Sequence, residues 1–332
     1  DSIYYATGFL PTDSAALVGA EGAWLVTDSR YIEAAQKQAA PGVEVLLTTR
    51  ERPLGAILRE LADRLGIEKL GAEEEKLSHA LYLRMERTLG RELLPAQELL
   101  VSLRSCKTEE ELRSLVAAQR IAEKALEEVL PLLKPGAVER EIAAEITYRM
   151  RLHGAEGNSF DPIVVTGAKS SMPHGVPGDE RIAAGDFVTM DFGCVKDGYC
   201  SDMTRTVAVG SATDEMKNVY ATVLAAQEAG IAAARPGVTG AQIHGAAAKV
   251  ISDAGYGAYF GHGFGHGVGL DIHEQPNASP ANEKPMPEGA VISAEPGIYL
   301  PGKFGVRIED VLYLSGEGCV DITKAPKDLL IL

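Results

Sequence analysis

Lys134-Pro-Gly-Ala-Val-Glu-Arg-Glu-Ile is echoed by Arg235-Pro-Gly-Val-Thr-Gly-Ala-Gln-Ile, and this duplication constrains the fold more than any other feature of the chain. Each copy follows a helical pattern and opens a helix that ends in a Gly-containing turn. Further on, Gly185-Asp-Phe-Val-Thr-Met-Asp191-Phe-Gly193 is echoed by Gly289-Ala-Val-Ile-Ser-Ala-Glu295-Pro-Gly297, with the same spacing from glycine to acid to glycine. A second acid follows each: Asp202 in Ser-Asp-Met-Thr-Arg-Thr, and Glu309 in Val-Arg-Ile-Glu-Asp-Val. The region 108–332 is therefore expected to form two related α/β halves. Each would give one carboxylate at a strand end and one on the next strand. Such a repeat imposes pseudo-symmetry, and two facing halves would bring four carboxylates to one centre.

Between the two acid pairs runs Gly261-His-Gly-Phe-Gly-His-Gly-Val-Gly-Leu-Asp-Ile-His273-Glu274. Glycine at every odd position from 261 to 269 suits a strand whose bare face lets another backbone approach closely. His262, His266 and the 264 and 268 positions would then share a face, although this glycine density also permits a bent or bulged path. The run is neither a zincin helix, since no second histidine follows His273-Glu274, nor a phosphate-binding loop, since no Lys-Ser/Thr follows the glycines. His79 and His244 each stand alone in helical patterns and read as structural, and His153, near a helix C-terminus, reads as a surface residue.

The four acids sit in apolar surroundings, where an isolated carboxylate costs several kcal/mol or becomes protonated. Four such acids in matched pairs, with a Gly-His strand between them, favour a metal site. Four carboxylates and one neutral imidazole balance two divalent cations. An oxygen-rich set with one nitrogen suits Mn²⁺, Co²⁺ or Zn²⁺, and the lack of cysteine argues against a structural zinc. Two such ions about 3.5–4 Å apart share a water and lower its pKa from about 15.7 to about 7, so the implied reaction class is hydrolysis.

Residues 1–105 read as a smaller α/β domain and 106–332 as the catalytic one. In the first, Ala15–Val18 and Ala23–Thr27 form an expected hairpin. Ser29–Ala40 looks helical with Asp28 or Ser29 as cap, Leu54–Leu65 and Ser78–Leu89 are helices, and Val43–Leu47 and Lys69–Glu73 are strands. Glu73-Glu74-Glu75 reads as a solvated helix start. Thr108 caps a long helix to about Leu133, with acids in its first turn, and a second helix covers Glu139–Leu152. The net charge of −15 opposes a nucleic-acid role, because nothing would neutralise phosphates. No stretch of about 18 apolar residues is present to span a membrane. Four cysteines without CxxC spacing read as reduced, buried thiols, and without a signal-peptide pattern the expected location is cytoplasmic.

Taken together, Asp191-Phe-Gly, Ser201-Asp202-Met-Thr-Arg-Thr, the Gly263–Glu274 run, Glu295-Pro-Gly-Ile-Tyr and Val306-Arg-Ile-Glu309-Asp resemble the pita-bread metallopeptidases. They are most similar to the branch holding aminopeptidase P and prolidase (Xaa-Pro dipeptidase). The match is strong over 108–332 and looser over 1–100, chiefly through Ile3-Tyr-Tyr-Ala-Thr-Gly-Phe. The resemblance implies a pita-bread catalytic domain with a pseudo-two-fold repeat, preceded by a creatinase/prolidase-like α/β domain. It implies two divalent ions, Mn²⁺ first, held by Asp191, Asp202, His266, Glu295 and Glu309. Asp202 and Glu309 would bridge them, and Glu295 would also shuttle a proton. His262 and His273 would meet the substrate and its developing oxyanion, His174 would line the pocket, and Arg307, Thr204 and Tyr299 would orient the carboxylates. The substrates would be short proline-containing peptides and the assembly a homodimer. A prolyl nitrogen carries no hydrogen and asks for apolar walls, for which Phe160, Phe264 and Val268 are our own inference. Three rival expectations are a methionine aminopeptidase, which typically lacks an N-terminal domain, a metal-free creatinase, and an inactive binding module. The last two lose ligand positions that are intact here.

Overall fold

A computed structural model describes every residue from Asp1 to Leu332. The chain divides into two compact units, Asp1–Arg104 and Ser105–Leu332.

The first unit runs α1 (Ser2–Thr7), β1 (Ala15–Gly19), β2 (Gly22–Thr27), α2 (Ile32–Gln38), β3 (Val43–Leu47), α3 (Leu54–Arg64), β4 (Leu70–Ala72), α4 (His79–Leu89), β5 (Leu93–Pro95) and α5 (Gln97–Ser105). β1 and β2 form the antiparallel hairpin and β3 adds parallel to β2. The stripe Ile57, Leu58, Leu61 of α3 is buried with Trp24, Val26 and Leu89, as its helical spacing requires. Two expectations are corrected. α2 starts at Ile32, because the Asp28 carboxylate is taken up by the backbone N–H and guanidinium of Arg30. Glu73–Glu75 is no helix start: Glu74 Oε2 accepts from the N–H groups of Ala96 and Gln97 at the mouth of α5, and Glu73 accepts from Ser2 Oγ.

The second unit opens with α6 (Glu109–Val129) and α7 (Glu139–Leu152), then β6 (Gly157–Asn158), β7 (Ile163–Thr166), β8 (Phe187–Phe192), β9 (Cys194–Lys196), β10 (Tyr199–Cys200) and β11 (Met203–Ala208). The second half follows with α8 (Asp214–Ala233), α9 (Gly240–Asp253), β12 (Gly265–Gly267), β13 (Glu274–Ala278), β14 (Val291–Ala294), β15 (Gly297–Leu300), β16 (Phe304–Arg307), β17 (Asp310–Ser315) and β18 (Gly318–Asp321). Thr108 closes a capping box with Glu111 at the head of α6, and Thr239 closes one with Gln242 at the head of α9, each satisfying amides that the helix leaves free. α6 ends at Val129 and tightens into a 3-10 turn over Leu130–Leu132.

The duplication is visible in hydrogen bonds. Gly136 N–H donates to Ile182 O and Gly237 N–H to Met286 O; Gly185 N–H donates to Val209 O and Gly289 N–H to Leu314 O. β8 pairs antiparallel with β11, and β14 pairs antiparallel with β17. Each half keeps its own core. Ala122, Ile142, Ile146, Met190 and Phe192 fill one, and Val219, Val223, Ile243, Ile292 and Leu312 the other. At about 1.5–3 kcal/mol for each large apolar side chain removed from water, these two clusters hold the sheets rigid beneath their acid-bearing ends.

No helix is long and apolar enough to cross a membrane. All four cysteines are free thiols, but only Cys194 and Cys200 are buried; Cys106 is exposed and Cys319 half-buried. His153 is not merely a surface residue, since its Nε2 lies 3.0 Å from Glu128 Oε1.

Candidate metal centre

The repeat delivers its acids to one place. Asp191 is the penultimate residue of β8, opposite Thr204 on β11. Asp202 immediately precedes β11, Glu295 immediately follows β14, and Glu309 lies between β16 and β17. His266 is the middle residue of β12. Backbone bonds seat two of them: Glu295 N–H donates to Phe264 O and Glu309 N–H to Thr204 O. All five side chains line one cavity of about 660 Å³, a size ordinary for a small-molecule site. The ligand atoms of Asp202, His266 and Glu309 lie within 4.8 Å of one another. His266 Nε2 is 3.4 Å from Asp202 Oδ2 and 3.3 Å from Glu295 Oε1.

That arrangement is unfavourable for the protein alone. His266 Nδ1 faces Gly267 O at 3.1 Å; a carbonyl only accepts, so Nδ1 carries the hydrogen and Nε2 offers a lone pair. Burial lowers the His266 pKa and keeps the ring neutral. Burial and then the charges of Asp191 and Glu295 push Asp202 well above its ordinary range. Glu309 is raised in the same way by burial and then Asp202, and Glu295 is raised chiefly by burial. Asp191 Oδ1 is buried without any hydrogen-bond partner, although a buried carboxylate oxygen ordinarily finds one. An orphaned oxygen, crowded carboxylates and an inward lone pair are the donor set of a hard divalent cation site, and the residues present fit such ions.

A second layer fixes the donors. Arg307 Nη2 donates to Asp191 Oδ2 at 2.5 Å and Arg307 Nε to Thr204 Oγ1 at 3.0 Å. Arg307 Nη1 donates to Tyr299 Oη at 3.0 Å. Tyr299 Oη is 3.0 Å from His262 Nε2, and His262 Nδ1 is 2.8 Å from Gly263 O. By the same carbonyl argument His262 carries its hydrogen on Nδ1, so Tyr299 donates to Nε2. The His262 pKa is lowered by burial. His273 sets its ring at 75° to that of His266, 4.3 Å between centres, and burial lowers its pKa as well.

His174, His262, His273, Tyr299, Arg307 and Phe160 all border the cavity. Thr204 lies behind it, fully buried. Phe264 and Val268 do not border it; both are fully buried, which corrects their reading as pocket walls. Only Gly265–Gly267 of the glycine run is strand, and its pairing with β13 shifts register between those two residues, so the simple alternation fails. The Phe264 ring instead turns toward α8, where a Cβ on Gly230 would lie 2.2 Å from its edge. The close approach expected of the glycines does occur at Gly265, where a Cβ would fall 1.9 Å from Ser293 O.

Several residues went unread in the sequence. Ile163, Pro173, Ile272 and Asp161 border the cavity. Ser293 accepts from His266 N–H at 3.0 Å and donates to Glu295 Oε1 at 3.1 Å. Its place near the end of β14, two residues before Glu295, is the available signal.

The model of metallopeptidase family M24 matches residues 113–315, and that of the Creatinase/Prolidase N-terminal domain matches residues 1–106. A Xaa-Pro dipeptidase of Pyrococcus furiosus is 36% identical over 99% of this chain and 92% of its own length. Among solved structures, a Xaa-Pro dipeptidase from Bacillus anthracis is 40% identical with a TM-score of 0.95, covering 100% of this chain and 92% of that one. An X-Pro aminopeptidase from Thermotoga maritima is 37% identical with a TM-score of 0.94, covering 100% and 94%. The duplicated α/β unit with its acids at the seam is thus a pita-bread catalytic domain preceded by a smaller α/β domain, and the chain belongs to metallopeptidase family M24.

Proposed function

We propose that the chain is a dinuclear Xaa-Pro peptidase, hydrolysing the bond between an N-terminal residue and proline. The observation that carries this reading is the cluster of four carboxylates and one neutral imidazole on the wall of an otherwise largely apolar cavity. Its support from outside the chain is the naming of similar proteins as Xaa-Pro dipeptidase and X-Pro aminopeptidase.

Asp191, Asp202, His266, Glu295 and Glu309 would hold two divalent ions, Mn²⁺ first and Co²⁺ or Zn²⁺ as alternatives. When bound, such ions supply Lewis acidity and a water whose pKa is lowered to about 7. The rest falls to the chain's own side chains. Glu295, steadied by Ser293 Oγ on Oε1, takes the proton of the attacking water and returns it to the leaving nitrogen. His262 and His273 face the scissile carbonyl. For His262 to donate there, Nε2 must gain a hydrogen and exchange its bond from Tyr299. Phe160, Ile163, Pro173 and Ile272 give apolar walls that leave no acceptor unpaired against a prolyl nitrogen without hydrogen. The working form is taken to be a cytoplasmic homodimer acting on short peptides.

The test is a peptide panel of Xaa-Pro, Xaa-Pro-Yaa and Met-Ala-Ser with defined metals. Cleavage before proline is expected. Preference for Met-Ala-Ser would move the assignment to a methionine aminopeptidase, and no hydrolysis under any metal would favour an inactive binding module.

A further inference from the structure

Glu139 is the first residue of α7 and is completely buried. Its carboxylate accepts three hydrogen bonds: from Thr166 N–H to Oε1 at 2.8 Å, from Gly178 N–H to Oε2 at 3.0 Å, and from Lys169 Nζ to Oε2 at 2.6 Å. Thr166 ends β7, and Gly178 closes the loop that follows. One side chain therefore ties both ends of the segment 166–178, and its Lys169 bond ties a point between them. The backbone of α7 grips the same segment, since Arg140 N–H donates to Gly178 O at 3.2 Å. From the opposite side, Gly305 N–H donates to Ser170 Oγ at 2.9 Å and Arg307 Nη1 to Pro173 O at 3.3 Å. Between these anchors the segment presents Pro173 and His174 to the cavity.

The internal repeat shows that this carboxylate is not an architectural necessity. Position 139 aligns with Gly240 at the start of α9. There the end of β13 comes so close that a Cβ would lie 2.4 Å from Asn277 O, and in the loop that follows Asn282 O accepts from Ala241 N–H at 2.9 Å. The second half thus makes the same junction without a charge: its bridging side chain is Asn282, whose Nδ2 donates to Asn277 O at 2.6 Å and lies 2.9 Å from where a Gly240 Cβ would stand. The first half spends a buried charge at the same place, a costly choice unless every oxygen is satisfied. What distinguishes the first half is that its loop carries a histidine to the cavity.

The geometry points to Glu139 as a positioning residue that sets His174 against the substrate. This rests on the proposed function, under which His174, a cavity-lining residue, would touch the bound peptide. Glu139→Gln keeps the volume but turns an NH₂ toward a donor and leaves Lys169 without its buried anion. The test is a double-mutant cycle with His174→Ala on metal-loaded full-length enzyme. Glu139→Gln is expected to lower kcat/KM on an Xaa-Pro substrate at least tenfold, mainly through KM, with bound metal unchanged. The double variant should be within twofold of His174→Ala alone. Wild-type kcat/KM in Glu139→Gln, or losses that multiply in the double variant, would overturn it. If His174→Ala itself is silent, the role of His174 and this inference both fail, while wild-type cleavage before proline still stands. If Glu139→Gln does not fold, Lys169→Met, a change on the more exposed side of the same anchor, carries the same cycle and the same criteria.

Discussion

Thr204 Oγ1 donates to Glu309 Oε2 at 2.6 Å, joining the two halves of the repeat inside the acid cluster. An ionised carboxylate only accepts, so the hydroxyl gives its hydrogen to Glu309 while accepting from Arg307 Nε. Thr204→Val keeps the shape and removes the donor. Such supporting bonds are worth roughly 10- to 100-fold in metal affinity, so Mn²⁺ binding by calorimetry should weaken by that much, while Thr204→Ser stays within a few-fold of wild type. Equal affinity in Thr204→Val would show that the bond does not orient Glu309.

Glu295→Gln retains an oxygen near Ser293 and His266 but loses the group that accepts a proton. General acid–base help is typically worth about 10²- to 10⁴-fold, and kcat on Xaa-Pro substrates should fall by that amount. Far-UV circular dichroism should be unchanged. Near-normal turnover would remove Glu295 from the proton path.

Chelation followed by dialysis should abolish hydrolysis, and Mn²⁺ should restore it. Ligands that bind only the folded state raise its stability by mass action, about 2.7 kcal/mol at a hundred times Kd. The melting temperature should therefore rise as Mn²⁺ is added back. A chelated protein that still cleaves peptides, or whose melting point ignores the ion, would contradict the site.

Gly230→Ala should destabilise the protein by about 1–3 kcal/mol in denaturant titration, the usual cost of overpacking a filled core. The added methyl would meet the Phe264 ring at 2.2 Å. Phe264 O accepts from Glu295 N–H, so activity should fall along with stability. A neutral outcome would mean that the ring has room to turn away.

Burial, and then the charge of Asp310, push Asp321 up to about 6. A carboxyl raised from its ordinary 3.8 contributes stability that is complete below the unfolded value and is lost as pH rises through the folded one. Asp321→Asn does not titrate. The stability of the variant minus that of wild type should therefore climb between about pH 4 and about pH 7, by on the order of 2 kcal/mol. A flat difference across that window would show that Asp321 titrates normally.

The catalytic domain was legible because its repeat is written locally. The glycines, acids and capping threonines recur at matched offsets, and each acts within its own turn or strand. What escaped was non-local or geometric. Phe264 and Val268 were misdirected because a register shift inside β12 breaks the alternation on which a strand reading depends. Glu74 resembles a helix start in sequence because its actual partners, Ala96 and Gln97, lie a helix and a strand further on. Asp28 failed as a cap because a nearby arginine competes for its oxygens. Ser293 is marked in the sequence only by its place two residues before Glu295; its bond to His266 exists only once that residue is brought beside it.

The division of the acid cluster between the two halves has a consequence for the chain's life before it is complete. Asp191 and Asp202 arrive with one half, His266, Glu295 and Glu309 with the other. On the proposed ligand set, a nascent or half-unravelled polypeptide would own only a fragment of the cation cradle and would have no cutting power. A hydrolase built this way stays harmless until its last structural seam has closed.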